Sequence, residues 1–183
     1  MLRGPALDSA IRSVFSRPHR DTFFRAIRPK YFSDPLGRNR PINAQRFNFK
    51  NGARVLYLGE DQMTCLQEVQ AFGFPSSSVT IVPVEVDPKA VVDLRDPNVR
   101  ATLQLTVKEL EFNFRTLGVG SSPALAQELG ETAAASGSID GFLYESLALR
   151  GKTNLAVFES NLSPLGSSVA VNDPKNNLFE KLP

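Results

Sequence analysis

"FNFKNGARVLYLGEDQMTCLQEVQAFG", residues 47–73, decides how the chain folds. Its middle, RVLYLG (54–59), is a short apolar run that reads as a buried strand. Asp61 then stands where the following helix needs an N-cap. Beyond it Met63, Leu66, Val69 and Phe72 recur at helical spacing and form the expected core-facing stripe. Glu68 falls at the margin of that stripe, between Thr64 and Phe72 on the wheel and well away from any lysine in sequence. An acid so placed is either an ordinary surface glutamate or the centre of a site that the fold assembles around it. Arg46 and Tyr57 flank the same strand, so a cluster around Glu68 is geometrically plausible.

Upstream, SDPLGRNRPINAQRFNFKNGA (33–53) is a long loop rich in Pro, Gly and Asn, and loops of that length in compact domains usually carry function or are disordered. DTFFRAIRPKYF (21–32) sets aromatic pairs around Arg25 and Arg28, and Pro29 rules against a long helix. Residues 1–20 are expected to be a loose or weakly helical extension. Downstream, SVTIVPVEVD (78–87) and AVVDLRDP (90–97) read as strands. Val99, Leu103, Val107, Leu110 and Phe114 keep helical spacing, and Ser122–Pro123 is a good start for a helix over 123–136. GFLYES (141–146) and TNLAVFES (153–160) are strands joined by a turn near Gly151, and the stretch after Asn161 is a Ser/Asn/Pro-rich tail. The expected class is α+β, without regular βαβ alternation, in a single domain over 21–160, with the tail 161–183 packed on it or extending it.

The totals narrow the chemistry. The 183 residues suit one domain, and 42% hydrophobic with 22% charged residues is ordinary globular composition. No apolar run is long enough for a membrane span, and the first residues lack a secretory signal pattern. The single Cys65 excludes an internal disulfide and a multi-cysteine zinc site, and no metal is expected. The one histidine, His19, sits in a Pro/Arg-rich lead-in, which argues against Ser-His-Asp and Cys-His chemistry. Carboxylates, arginines, hydroxyls and backbone amides remain. The net charge of +2 is uneven: residues 1–54 carry twelve Arg/Lys against three Asp/Glu, and residues 55–183 nine against sixteen. A basic front half points to an anionic ligand, either a phosphate-bearing small molecule or nucleic acid. GVGSS (118–122) is weak as a nucleotide fingerprint, although a serine-capped helix N-terminus there offers free N–H groups to a phosphate.

The order FFRAIRPKYF, PLG, QRFNF, VLYLGEDQMTCLQEV, VPVEVDPKAVVDLRDP, GFLYES and TNLAVFE resembles the RES-domain family over roughly residues 22–160. The resemblance implies an ADP-ribosyltransferase-like fold, with mixed or antiparallel sheets forming a cleft between flanking helices. It implies a toxin that breaks NAD+ at the nicotinamide–ribose bond, as a glycohydrolase, a phosphorylase or a protein ADP-ribosyltransferase, with NAD+ as substrate. Carried over by position, the family's first arginine is Arg25, with Arg28 as the other register. Its arginine–aromatic–Asn unit gives Arg46 and Asn48, its strand tyrosine is Tyr57 and its glutamate is Glu68. Its serine is Ser121 or Ser122 before the later helix, or Ser146 at a strand end. The glycine pair that precedes the family's arginine is Ala44–Gln45 here.

Loss of neutral nicotinamide from NAD+ needs no strong general acid, and it leaves an oxocarbenium-like ribose that a carboxylate stabilises. Arginines bind a pyrophosphate better than lysines do, and residues 1–54 hold ten arginines to two lysines. Tyr57 or Tyr31 could stack on nicotinamide or adenine, or be core aromatics with satisfied hydroxyls. The implied partner is a cognate antitoxin or an immunity protein. The implied setting is the cytoplasm of the chain's own cell, or of a target cell if it is delivered as an effector. A second reading is a basic nucleic-acid-binding module, with Phe23, Phe24, Tyr31, Phe32, Phe47 and Phe49 interleaved among the cations; no nucleic-acid motif supports it. A third is an inactive domain of the same fold kept for protein interaction.

Overall fold

A computed structural model describes residues 2–71, 73, 75–111 and 124–183. The strand read from 54–59 is β2 (Val55–Gly59). It pairs with β6 (Thr153–Phe158) from Val55↔Phe158 to Gly59↔Asn154. Every residue of β6 is buried, which accounts for its near-continuous apolar sequence. β5 (Gly141–Glu145) flanks β6, and β4 (Val91–Asp93) runs parallel to β5 at that edge. On the other side β1 (Asp21–Ile27) pairs along its whole length with β3 (Thr80–Asp87). The hairpin of β7 (Ser168–Asp173) and β8 (Leu178–Leu182) completes the sheet, and all pairings but β4–β5 are antiparallel. Among the described residues the order is β4-β5-β6-β2-β1-β3-β7-β8.

The join between the halves is narrow. β1 and β2 share only the pair Phe24↔Gly59, and beyond it they diverge as a fork. Helix α2 (Gln62–Ala71) lies across the fork and packs on β1, β2 and β3. Asp61 caps it as expected, accepting the Thr64 N–H at 2.6 Å. A side chain on Gly59 would press against the Cys65 backbone nitrogen at 2.9 Å, so the strand ends in glycine to let the helix start this close.

The buried face of α2 is not the expected stripe. Thr64 and Cys65 are buried, Met63 is 55% exposed, Leu66 and Val69 are half-buried, and Phe72 lies outside the described residues. The helix is turned so that Glu68, one turn after Thr64, faces inward. It covers a polar opening rather than a flat apolar sheet, and the hydrophobic pattern alone could not report that.

Both ends of the chain take part in the fold. Residues Gly4–Ser13 form α1, whose Leu7 and Ile11 pack with Leu129 and Ala133 of α5 (Leu125–Ser136) around Phe47, Phe142 and Phe158. Arg17 bridges Val91 and so covers the β4 edge. The expected tail supplies α6 (Glu159–Leu165), β7 and β8. A second apolar cluster, including Phe23, Ile27, Leu58, Val82, Leu155 and Val171, spans both halves of the sheet. The helix expected over 99–114 is instead α3 (Pro97–Thr102) and α4 (Val107–Leu110). Asp96 caps the first, a Thr106–Glu109 capping box starts the second, and Gln104 turns between them at φ +49°. Phe114 and the Ser122–Pro123 start lie outside the described residues. Among the described residues no helix is long and apolar enough to cross a membrane.

Candidate active site

The fork opens into a cleft of about 810 Å³, bounded by the diverging edges of β1 and β2, the loop before β2, and α2. Glu68 is its fixed point. Its Oε1 accepts the Ser146 hydroxyl at 2.7 Å and the Asn154 side-chain N–H at 2.6 Å. Ser146 and Asn154 are themselves almost fully buried, and Ser146 Oγ accepts the Leu149 N–H at 3.1 Å. Oε2 makes no hydrogen bond with any described residue. Two rigid donors on one oxygen therefore fix the carboxylate and leave the other oxygen unspent.

Arg46 forms the adjoining wall, with its guanidinium 5.1 Å from the centre of the Tyr144 ring. Burial pushes the Tyr144 phenol well above its usual range despite the opposing charge of Arg46, so the ring stays neutral beneath the cation. The loop carrying Arg46 is tied from the strand: the Tyr57 hydroxyl accepts the Phe47 N–H and donates to Asn48 Oδ1, each at 2.9 Å. Asn48 in turn donates to the carbonyls of Asn43 and Phe49. Tyr57 and Asn48 line the cleft, but their polar atoms hold the loop. Burial also pushes the Tyr57 phenol far up.

Five arginines line the cleft: Arg25, Arg28, Arg40, Arg46 and Arg54. Arg40 pairs with Asp34 at 3.4 Å, and its guanidinium lies 4.1 Å from the centre of the Tyr31 ring. Arg54 pairs with Glu159 at 3.5 Å and donates to the carbonyls of Gly37 and Arg40. Arg25 and Arg46 make no ion pair with a described acid, and Asp34 and Glu180 act on Arg25 only through the weaker field of more distant charges. Arg25 makes no hydrogen bond with a described residue either, and its buried Nε is unpartnered. Burial first, and the neighbouring Arg40 second, bring its pKa down to about 10, which still leaves it charged at neutral pH. Gly37, at φ +84°, leaves room for this guanidinium: a side chain there would stand 3.1 Å from Nη2. Cys65 also lines the cleft, and burial pushes its thiol up to about 12, so it is no nucleophile.

One cleft thus gathers Arg25, Arg28, Tyr31, Arg46, Asn48, Tyr57 and Glu68. Of the three serines, Ser146 stands at Glu68, whereas Ser121 and Ser122 lie outside the described residues. Tyr31 is not a free stacking face, because Arg40 occupies its ring. His19 packs edge-on against Phe23 and is not among the cleft residues. Of the aromatics that a nucleic-acid surface would need, Phe23 and Phe47 are core residues. Asn154, Tyr144 and Arg40 were not anticipated. For Asn154 a signal existed: it is an amide inside the apolar run TNLAVF, where a buried polar side chain needs a reason.

A family model described as RES domain matches residues 22–177. The fold is similar to a chain in the crystal structure of the M. tuberculosis MbcT–MbcA toxin–antitoxin complex, with a TM-score of 0.63 over 94% of each chain at 18% identity. No curated protein matches the chain.

Proposed function

This chain belongs to the RES domain family, and we propose that it is a toxin-type enzyme that consumes NAD+ by breaking the nicotinamide–ribose bond. One observation carries the reading: a carboxylate pinned through a single oxygen shares a cleft with two arginines that form no ion pair with any described acid. A dinucleotide matches that arrangement. Its pyrophosphate engages Arg25 and Arg46, and its nicotinamide ribose lies over Glu68. The C1′–N bond breaks with both electrons leaving on nicotinamide, which departs neutral. The positive charge left on the ribose is stabilised by Glu68, whose position is set by Ser146 and Asn154 before the reaction begins. The acceptor, whether water, inorganic phosphate or a protein side chain, adds at C1′ and gives up its proton to solvent.

The test is incubation of the purified chain with NAD+, with and without phosphate, followed by identification of the products. Release of nicotinamide is expected. Intact NAD+ after prolonged incubation at high enzyme concentration, with no protein target present, removes hydrolysis and phosphorolysis. In cells, expression should lower NAD+ and arrest growth, and Glu68→Gln should relieve both. The structural neighbour comes from a toxin–antitoxin complex. By that analogy the partner of this chain is an antitoxin or immunity protein that places an acidic or carboxylate-ended segment against Arg25 and Arg46. Harmless high-level expression of the wild-type chain, with cellular NAD+ unchanged, would overturn the toxin reading.

A further inference from the structure

Arg46 sits on a loop, yet its placement relative to Glu68 has to be fixed to a fraction of an ångström for a bound dinucleotide to be held in register. The strand side of the loop is tied by Tyr57. The other side is held by one face of α5. Glu131 Oε1 accepts the backbone N–H groups of Phe49 at 2.7 Å and Ala53 at 3.0 Å, and Oε2 also accepts from Ala53 at 3.0 Å. One turn earlier, Gln127 donates to the carbonyls of Gln45 at 2.9 Å and Asn48 at 3.2 Å. Gly130, between them, lets the loop lie directly on the helix, because a side chain there would collide with the Phe47 carbonyl. Residues 127, 130 and 131 share one helical face, and their contacts fall on both sides of Arg46 in sequence. No ion pair joins Glu131 to any described cation, so its carboxylate serves backbone amides alone.

From this we infer that Glu131, assisted by Gln127, is the positioning residue for Arg46: α5 presents the loop that presents the arginine. The inference rests on the proposed function, since Arg46 needs such accuracy only if it grips the substrate. Neither residue touches the cleft, and neither is among its lining residues. Their effect therefore passes through Arg46 and falls on binding rather than on bond cleavage.

The test is steady-state kinetics with NAD+, together with direct titration by ADP, which offers the same pyrophosphate without the reacting bond. Glu131→Gln should raise KM and weaken ADP binding about tenfold, with kcat within about twofold of wild type. In an Arg46→Ala background the same substitution should add almost nothing, because the arginine it positions is already gone. Gln127→Met, which removes the two ties to the loop together with the weak 3.3 Å hydrogen bond from the Ala124 N–H at the start of α5, should show the same pattern at smaller size and serves if Glu131→Gln fails to fold. A Glu131→Gln or Gln127→Met enzyme with unchanged KM, or a full multiplicative loss in the double variant, overturns the inference. A wild-type chain that binds neither NAD+ nor ADP overturns the proposed function and the inference with it. A wild-type chain that binds both, beside a Glu131→Gln variant that binds equally well, overturns the inference alone.

Discussion

The floor of the cleft and its arginine wall are built on opposite principles. At the floor, Glu68, Ser146 and Asn154 come from a helix, a strand end and a strand interior, and the hydrogen bonds among them are short and nearly enclosed. At the wall, Arg46 rides on a loop and Arg25 leans from a strand lip, and among the described residues neither forms an ion pair with an acid. Geometry is completed within the protein at the floor, whereas charge is left incomplete at the wall. A site meant only to be stable would neutralise both, since an unpaired buried cation is costly. The contrast suits a ligand that brings its own negative charge and must then be held still over one carboxylate.

Substitutions can take this contrast apart. The largest effect is expected at the floor: Glu68→Gln keeps the shape, loses the charge, and should lower kcat by about 10²–10³-fold with an unchanged circular dichroism spectrum. A variant with near-normal turnover would move the chemistry elsewhere. At the wall, Arg46→Ala or Arg25→Ala should weaken NAD+ binding by about 1.5–3 kcal/mol, or roughly ten- to a hundredfold in Kd by calorimetry, with kcat less affected. If instead the arginine variants lose mainly kcat, the division between floor and wall fails.

A finer test is Asn154→Leu, which leaves Glu68 held by Ser146 alone. About tenfold lower kcat is expected from the extra freedom of the carboxylate, with ADP affinity unchanged. The smallest effect lies outside both regions. Burial lowers the pKa of His19 below its ordinary 6.5, with Asp21 opposing the shift and Arg17 adding to it. The unfolded chain therefore holds that proton more tightly than the folded one, so the contribution is whole above pH 6.5 and declines as pH falls towards the folded value. His19→Phe should flatten that part of the acid side of a denaturation series while leaving turnover at neutral pH untouched.

Much of this is legible in the amino-acid sequence. The strand–helix unit from 54 to 71, the cap at Asp61, the long loop and the paired strands near 141–160 all follow from local pattern, because each is decided by neighbouring residues. The RES resemblance pointed to Glu68, Arg25 and Arg46 through motifs that are local, and the fold brings the three to one cleft. The rotation of α2 was not legible, because which face turns inward depends on what lies beneath it, and a cleft lies there. The N-terminal stretch read as loose or weakly helical, and its docking was not legible because the apolar pair Leu7 and Ile11 is too short a signal without α5 to pack against. The final hairpin looked like a tail because polar and apolar residues alternate on a half-exposed edge. Asn154 and Glu131 act across 86 and 82 residues of chain respectively, and no window reads that far.

The single residue pair between β1 and β2 has one more consequence. A continuous sheet has two edges to guard against pairing with foreign chains, whereas a forked sheet has four, two of them facing inward across the gap. The outer ones are managed separately: Arg17 lies along β4, and Lys181 with Pro183 marks β8. The inner ones border the cleft and have α2 packed on them, so the helix that carries Glu68 also covers part of both edges. The proposed chemistry at Glu68 and the protection of the strand edges are thereby tied to one docking event. A substitution such as Gly59→Val, which lifts α2 from the strands, should not give a quiet, inactive protein. It should expose two bare strand edges at once and give a protein that precipitates.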